Sequence, residues 1–215
     1  MTSGSGAPPL PPPQPPAIAA HAVSEAARAV ADAWAQSMDP AQHNRAISQL
    51  YSVLRDLGIA TRGLARYQTT GNPACPASLD FRRLVAASAE RLLRASESLD
   101  GVLAAEGLGA VPDPEEPGAL LCRATRTAIT AWRQPAGTSA DRDTTMERLI
   151  TALGFLATAA RNLAASAPRQ RTIELLAVAA DLAGATACLR RAVHAPADDA
   201  VLEPRATGKA DGGRE

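Results

Sequence analysis

The chain is poor in the residues from which most catalytic, metal-binding and disulfide-stabilised sites are built. Its 215 residues include three histidines, three cysteines and only 3% aromatic side chains. An odd number of cysteines gives no disulfide framework, and no His or Cys pair has the spacing of metal ligands. Neither a G-x-S-x-G nucleophile turn nor a G-x-x-x-x-G-K-[ST] phosphate loop occurs. We therefore predict a protein that is not an enzyme and has no catalytic residues, metal or cofactor.

Charge of one sign and long apolar segments are absent as well. The formal net charge is zero, so no overall basic field favours nucleic acid. No apolar run free of charge approaches the 18 residues of a membrane span, and the N-terminus lacks the basic start and apolar stretch of a signal peptide. We expect a cytoplasmic protein without membrane insertion. Lysine occurs once, as Lys209, among many arginines, a codon usage that indicates a GC-rich bacterium.

Alanine and leucine dominate what remains, and both favour helix because they lose little side-chain freedom there. Apolar residues recur every three or four positions along six segments, and no segment alternates as a β-strand does. These patterns predict an all-α fold of six main helices. The first four cover approximately 18–36, 40–67, 78–106 and 118–133, the fifth ends before Pro168, and the sixth ends near His194.

Two local features refine these helices. Asp39, followed by Pro40 and by Gln42 three residues after the cap, predicts a capping box at the start of helix 2. Helices 3 and 6 each carry an apolar residue every seven positions, which suits packing at a shallow angle on another helix. The two seams either bury one another or pair across a dimer; they consist of Val85, Leu92, Leu99 and of Leu175, Leu182, Leu189. The histidines lie near helix ends or in tails, where solvated or capping roles are expected; they are His21, His43 and His194.

An internal repeat organises the helices. The only two tryptophans, Trp34 and Trp132, lie 98 residues apart, and each has alanine before it and glutamine two positions after it. Seven of the sixteen positions from 50 to 65 recur at an offset of 99, including the pair Arg62 and Arg161. Helix 3 matches helix 6 at an offset of 90, through Ala89, Leu92, Ala95, Leu99 and Ala179, Leu182, Ala185, Leu189. We interpret this as a three-helix unit written twice, against the alternative that any two alanine-rich amphipathic helices align in this way. Both tryptophans are predicted to be core anchors at helix ends.

Composition divides the chain into five segments. The proline-rich residues 1–17 and the polar residues 195–215 contain too few apolar side chains to offset their ordering entropy, so we predict disordered tails. Between them lie a first three-helix unit at 18–107, a Pro/Gly linker at 108–117 and a second unit at 118–194. Short connections favour packing of consecutive helices on each other. The two units either share one core or lie end to end.

Arginines of the second unit form the candidate site. Residues 118–194 contain ten arginines but only five acidic residues. In an up-down-up unit, the start of helix 4, the end of helix 5 and the start of helix 6 share one end, where helix N-termini add positive charge and free N–H groups. We predict that this end binds an anionic ligand or an acidic partner through Arg123, Arg126, Arg161, Arg169 and Arg171. The alternative, the more common arrangement, is that these arginines are solvated and flank the core.

Three functions remain open. The leading interpretation is a non-enzymatic helical protein that acts through protein–protein contacts, as an adaptor, a regulator or an assembly component. Its partner is either another protein or a second copy bound through helix faces. The second interpretation is a regulator that binds an anionic ligand or nucleic acid at the arginine-rich end of the second unit, and a salt-dependent affinity would favour it. The third is an enzyme of a motif-poor helical class, which buried carboxylates facing a cavity would favour.

Overall fold

The chain folds into six α-helices. The computed structural model describes residues 14–67, 79–104, 113–133 and 139–194, and within these ranges it contains no β-strand. The predicted all-α fold is therefore confirmed, and the helix boundaries lie within a few residues of the predicted ones. The helices are α1 (Pro16–Ala33), α2 (Pro40–Tyr67), α3 (Leu79–Ala104), α4 (Pro117–Ala131), α5 (Ser139–Ser166) and α6 (Arg169–Val193).

Parts of several sequence predictions fall outside the described residues. They are the proline-rich residues 1–13, the turn at 68–78 with Cys75, the linker residues 105–112, the helix break at 134–138 and the tail 195–215. Within the described ranges, α1 begins at Pro16 and α4 at Pro117, so both helices start at the edge of segments predicted to be a tail and a linker.

The helix ends follow from local chemistry. The backbone N–H of Gln42 donates to Asp39 Oδ1 at 2.8 Å, and the N–H of Asp39 donates to Gln42 Oε1 at 3.1 Å, which confirms the predicted capping box. α1 and α4 have no side-chain cap, but each has a proline in its first turn, where a missing N–H costs no hydrogen bond. Trp34 and Trp132 occupy the positions that follow the last residues of these two helices.

The order of the helices around the bundle differs from their order in the sequence. α1 packs on α4 and α5, α4 packs on α1 and α2, and α3 packs on α2 and α6. The predicted packing of consecutive helices holds for α2 with α3 and for α5 with α6. It is wrong for α1 with α2 and for α4 with α5, which make no contact in the described residues. The two halves of the chain are therefore interleaved, with the first helix of each half packed on the other half.

One hydrophobic core joins the six helices. It contains buried residues of every helix, so the two halves share a single core and do not lie end to end. α2 and α5 also touch: His43 Nε2, in the first turn of α2, donates to the backbone oxygen of Leu163, in the last turn of α5, at 3.0 Å. His43 is only 5% exposed, so the expectation that it is solvated is wrong, whereas its bond to a carbonyl in the last turn of α5 agrees with the expected capping role. Its ring satisfies its hydrogen bond inside the core, as buried polar groups require.

Burial follows the predicted register of the repeat. Every buried residue of α6 has a buried counterpart in α3 at an offset of 90. The predicted seams are fully buried, and because α3 packs on α6 they bury one another within the chain. The helix contacts also map onto one another when α1, α2 and α3 are exchanged with α4, α5 and α6. A duplication predicts both agreements, and the duplication itself stays a prediction.

α5 and α6 each contain a long apolar stretch. Both are long and apolar enough to cross a membrane, by length and composition alone, although the lack of a long uncharged run in the sequence predicts no membrane span. About half of the apolar stretch of α5 and 39% of that of α6 is buried inside the bundle. The core helix of a folded protein meets the same two criteria.

Candidate functional site

The five arginines predicted as an anion site are divided between two sides of the bundle. Arg123 and Arg126 lie on α4, whereas Arg161 lies on α5 and both Arg169 and Arg171 lie at the start of α6. Because α4 contacts neither α5 nor α6 among the described residues, the structure does not bring the first two arginines to the other three.

Three of these arginines interact with groups of the protein. Arg123 Nη2 donates to the backbone oxygen of Pro114 at 2.8 Å, and Arg171 Nη1 donates to Asn44 Oδ1 at 2.7 Å. Arg126 Nε lies 3.8 Å from a carboxylate oxygen of Asp56 on α2. Arg161 and Arg169 are exposed and have no ion pair within the described part of the chain. The anion site stays a prediction, and Arg161 and Arg169 are the two of its five arginines with the fewest contacts of their own.

The protonation of Asp56, which lies on α2 beside Arg126 of α4, can be used to test the contact between these two helices. Burial raises the pKa of its carboxyl, and nearby Arg126 and Arg55 offset only part of that rise. The folded protein therefore binds this proton more tightly than the unfolded chain does, so the ionised form destabilises the fold. We expect Asp56→Asn to raise the free energy of unfolding at pH 7. The gain shrinks as the pH falls through the raised pKa and disappears below the ordinary value of 3.8. Urea unfolding across this pH range measures it.

Arg126→Ala is the matched variant for that measurement. It removes the positive charge that favours ionised Asp56, so it lowers stability at neutral pH and loses its effect in acid. If Asp56→Asn is instead less stable than the wild type at pH 7, the attraction of Arg126 outweighs the burial of the carboxylate.

A cavity of about 200 Å³ opens where α1 ends and where α2 and α4 begin. Its polar walls are engaged with each other: Arg45 Nη1 donates to Glu116 Oε1 at 2.7 Å, and Gln49 Nε2 donates to Glu116 Oε2 at 3.4 Å. Gly118 allows this close approach, because a Cβ there would overlap the Gln49 amide. The opposite charges neutralise one another, so the arrangement joins α2 to α4. Glu116 falls in the predicted linker, and no sequence pattern indicates that it joins two helices.

The outer face of α6 lacks exposed charged residues over most of its length. Between Thr172 and Leu189 every exposed residue of α6 is apolar. They recur at intervals of one, three or four residues, which places them on one stripe of the helix about 21 Å long. We call this stripe the α6 face, and it consists of Ile173, Leu176, Ala177, Ala180, Ala183 and Ala187. The two largest side chains are 65% and 48% exposed.

α3 provides an internal comparison for the α6 face. In the register that aligns the buried residues of the two helices, Ala180 corresponds to Glu90 and Ala187 to Glu97, and both glutamates are exposed. α3 therefore presents charged residues to solvent, as a helix face turned to water normally does. α6 keeps the same buried pattern but has alanine at the same outer positions.

The exposed surface of α5, which packs beside α6, is also uncharged over part of its length. Arginines lie at the ends of both uncharged stretches. Between Arg148 and Arg161 the exposed residues of α5 are Thr151, Gly154 and Thr158. At its two ends the α6 face is bounded by Arg169 and by the pair Arg190 and Arg191, all exposed and without ion pairs in the described part of the chain. The stripe is thus apolar and has arginines at both ends, and along its edge the Arg91 guanidinium of α3, paired with Asp181, lies over Gly184.

Comparisons with known proteins identify no relative. No protein-family model, curated protein or solved structure matches the chain. The functional argument therefore depends on the chemistry of the surfaces described above.

Proposed function

We propose that the protein is a non-enzymatic binding module of the cytoplasm and that it acts through protein–protein contact at the α6 face. One observation carries the proposal: all exposed α6 residues between Thr172 and Leu189 are apolar, whereas the corresponding outer positions of α3 include glutamates. A contiguous apolar strip with a polar rim is typical of a surface that binds a partner. Folding of the chain alone does not require an uncharged outer face, since charged residues are normal there.

The shape of the α6 face favours a helix as the partner element. Four of its six residues are alanines, whose small side chains permit close approach to α6 except beside Gly184, where Arg91 of α3 lies over the helix. The distance between packed helix axes depends on the side chains at the contact, and small residues shorten it. The stripe is about four turns long, so one helix of ordinary length covers it. The larger Ile173 and Leu176 at one end give the contact a direction.

The rim indicates the charge of that helix. Arg169 lies at one end of the α6 face and Arg190 with Arg191 at the other. Opposite charges across the rim of an interface speed association and fix the register. The partner helix is therefore apolar at its centre and acidic towards both ends.

Substitution of the α6 face tests this proposal. Ala180→Glu combined with Ala187→Glu introduces the residues found at the same positions of α3, so we expect stability to change by less than about 2 kcal/mol in total. Tagged wild-type and variant proteins are used to capture partners from the native host, followed by mass spectrometry. A protein held by the wild type is expected to fall at least about tenfold in the variant, since two buried charges oppose docking.

Ala22→Glu combined with Ala29→Glu is the matched control. These two alanines are also exposed and seven residues apart, but they lie on α1. The control retains the captured protein and, like the α6 variant, retains the helical circular dichroism of the wild type. Equal capture by all three proteins would exclude the α6 face as the docking surface.

Arg161 and Arg169 support a second candidate function, which is binding of an anionic ligand at the start of α6. Both are exposed without an ion pair in the described part of the chain, and Pro168 leaves the first turn of α6 without a side-chain cap. If capture recovers nucleic acid alone, and Arg161→Ala with Arg169→Ala abolishes that recovery, this second function replaces the first.

A further inference from the structure

The chain continues directly from one end of the α6 face. His194 follows the last residue of α6, one turn after Arg190 and Arg191. Residues 195–204, which lie outside the described residues, come next in the sequence. Whatever these ten residues bind, they begin within reach of the basic rim.

Residues 195–204 have the composition that the α6 face requires of an occupant. They contain three acidic residues and no basic residue, whereas the rim beside them carries two arginines. The acidic residues surround one apolar pair and lie between two prolines, in the order Pro196, Asp198, Asp199, Val201, Leu202, Glu203, Pro204. The acidic pair therefore comes before the apolar pair in the segment, in the same order as the basic rim and the apolar surface that the segment would meet along α6.

The segment is long enough to reach the middle of the α6 face. Leu202 is eight residues beyond His194, and an extended chain of that length spans up to about 26–29 Å. Ala180 lies fourteen residues before His194 on the helix, which corresponds to about 21 Å. With the two aspartates near the arginines, Leu202 lies up to about 10–11 Å further along, so Val201 and Leu202 can contact Ala183 and Ala187.

A second copy of the chain fits the α6 face less well. If two α6 helices paired in parallel, Arg190 and Arg191 of the copies would lie side by side. If they paired antiparallel about Ala180, Arg169 of one copy would face Arg191 of the other. Both arrangements bring like charges together at the rim, which opposes association.

We propose that residues 195–204 fold back along α6 and cover the α6 face when the partner is absent. Asp198 and Asp199 pair with Arg190 and Arg191, and the apolar pair lies on the alanines. The inference rests on the proposed function, because it gives the same docking surface an intramolecular occupant that the partner helix must displace. Attachment to the end of α6 supplies a high effective concentration, so a weak contact is sufficient to cover the face.

Alanine methyl NMR of the full chain tests the fold-back. We expect Asp198→Arg with Asp199→Arg to shift the methyl signals of Ala183 and Ala187 and to leave those of Ala22 and Ala29 in place. Adding Arg190→Glu and Arg191→Glu to that variant restores the opposite charges and returns the signals towards the wild type. Asp211→Arg, in the same tail beyond the segment, is the matched control and leaves the α6 signals unchanged.

Two outcomes would overturn the inference. Unchanged α6 signals in the Asp198→Arg, Asp199→Arg variant would show that the segment does not occupy the face. Signals that move on dilution of the wild type would show that the segment binds a second copy, so that the contact is intermolecular.

Partner capture separates this inference from the proposed function. With the α6 face uncovered, the Asp198→Arg, Asp199→Arg variant captures severalfold more partner than the wild type. If the NMR shifts occur while the Ala180→Glu, Ala187→Glu variant captures as much as the wild type, the fold-back stands and the proposed function fails. If the α6 variant loses its partner while the NMR signals are unchanged, the proposed function stands and the fold-back fails.

Discussion

Separated at the linker, residues 1–107 and 108–215 will each lose most of their helix and will recover it when mixed. In the first half alone, α1 has nothing to pack on, because its neighbours are α4 and α5. In the second half alone, α4 loses both of its neighbours for the same reason. What remains of either half is one helix pair, which buries too little apolar surface for stability. Far-UV circular dichroism of the halves and of their equimolar mixture measures the effect.

Two results of the separation experiment are informative beyond the loss of helix. Cooperative unfolding of either half as a monomer would contradict the interleaved packing and make the halves independent domains. A dimer of one half, formed only at high concentration, would agree with the interleaving. In that dimer a second copy of the half takes the place of its missing neighbour, as the exchangeable contacts of the two halves allow.

Trp132→Ala is expected to lower the free energy of unfolding by about 3–5 kcal/mol. The side chain is 1% exposed, and its Nε1 donates to the backbone oxygen of Pro16 at 3.2 Å, so it links the end of α4 to the start of α1. Removing the ring leaves a cavity in the shared core and deletes the hydrogen bond between the end of α4 and the start of α1. The loss is a large share of the 5–15 kcal/mol that usually separates a folded domain from the unfolded chain. Denaturant unfolding gives the value.

Two further tryptophan variants serve as controls. Trp132→Phe keeps most of the apolar volume and loses the hydrogen bond, so it costs less than Trp132→Ala. Trp34→Ala also costs less, because Trp34 is 7% exposed and borders the cavity beside Arg45, where its contacts are already incomplete. A loss below about 1 kcal/mol for Trp132→Ala would contradict the role of the ring as a core anchor. The burial of both tryptophans already confirms what their position at helix ends predicted.

Local patterns predicted the helices but not their neighbours. The apolar period placed all six helices, and the capping box at Asp39 fixed the start of α2, because these features depend on residues close in sequence. Which helices pack together depends on contacts between residues far apart, such as His43 with Leu163 and Trp132 with Pro16. Loop length alone suggested that α1 would pack on α2, and the structure shows otherwise.

The same limit explains the outcome for the candidate site. A single cluster of the five arginines requires α4 to lie beside α5 and α6, and the interleaving places α4 elsewhere. The α6 face, in contrast, was readable from the sequence, because no exposed charge interrupts α6 between Ile173 and Ala187 on the side opposite its leucine seam. A cluster of arginines is a feature of residues that are present, whereas the α6 face is marked by the absence of charge on a helix surface.

Interleaving also sets the time at which the chain can fold during its synthesis. The ribosome completes α1 98 residues before it completes α4, and α5 follows later still. At about 5–20 residues per second, the apolar stripe of α1 waits roughly 5–20 s for its first partner. During that interval Val23, Ala27 and Val30 remain exposed, although all three are buried in the finished bundle. The nascent chain is therefore a substrate for chaperones that hold apolar segments until the second half has emerged.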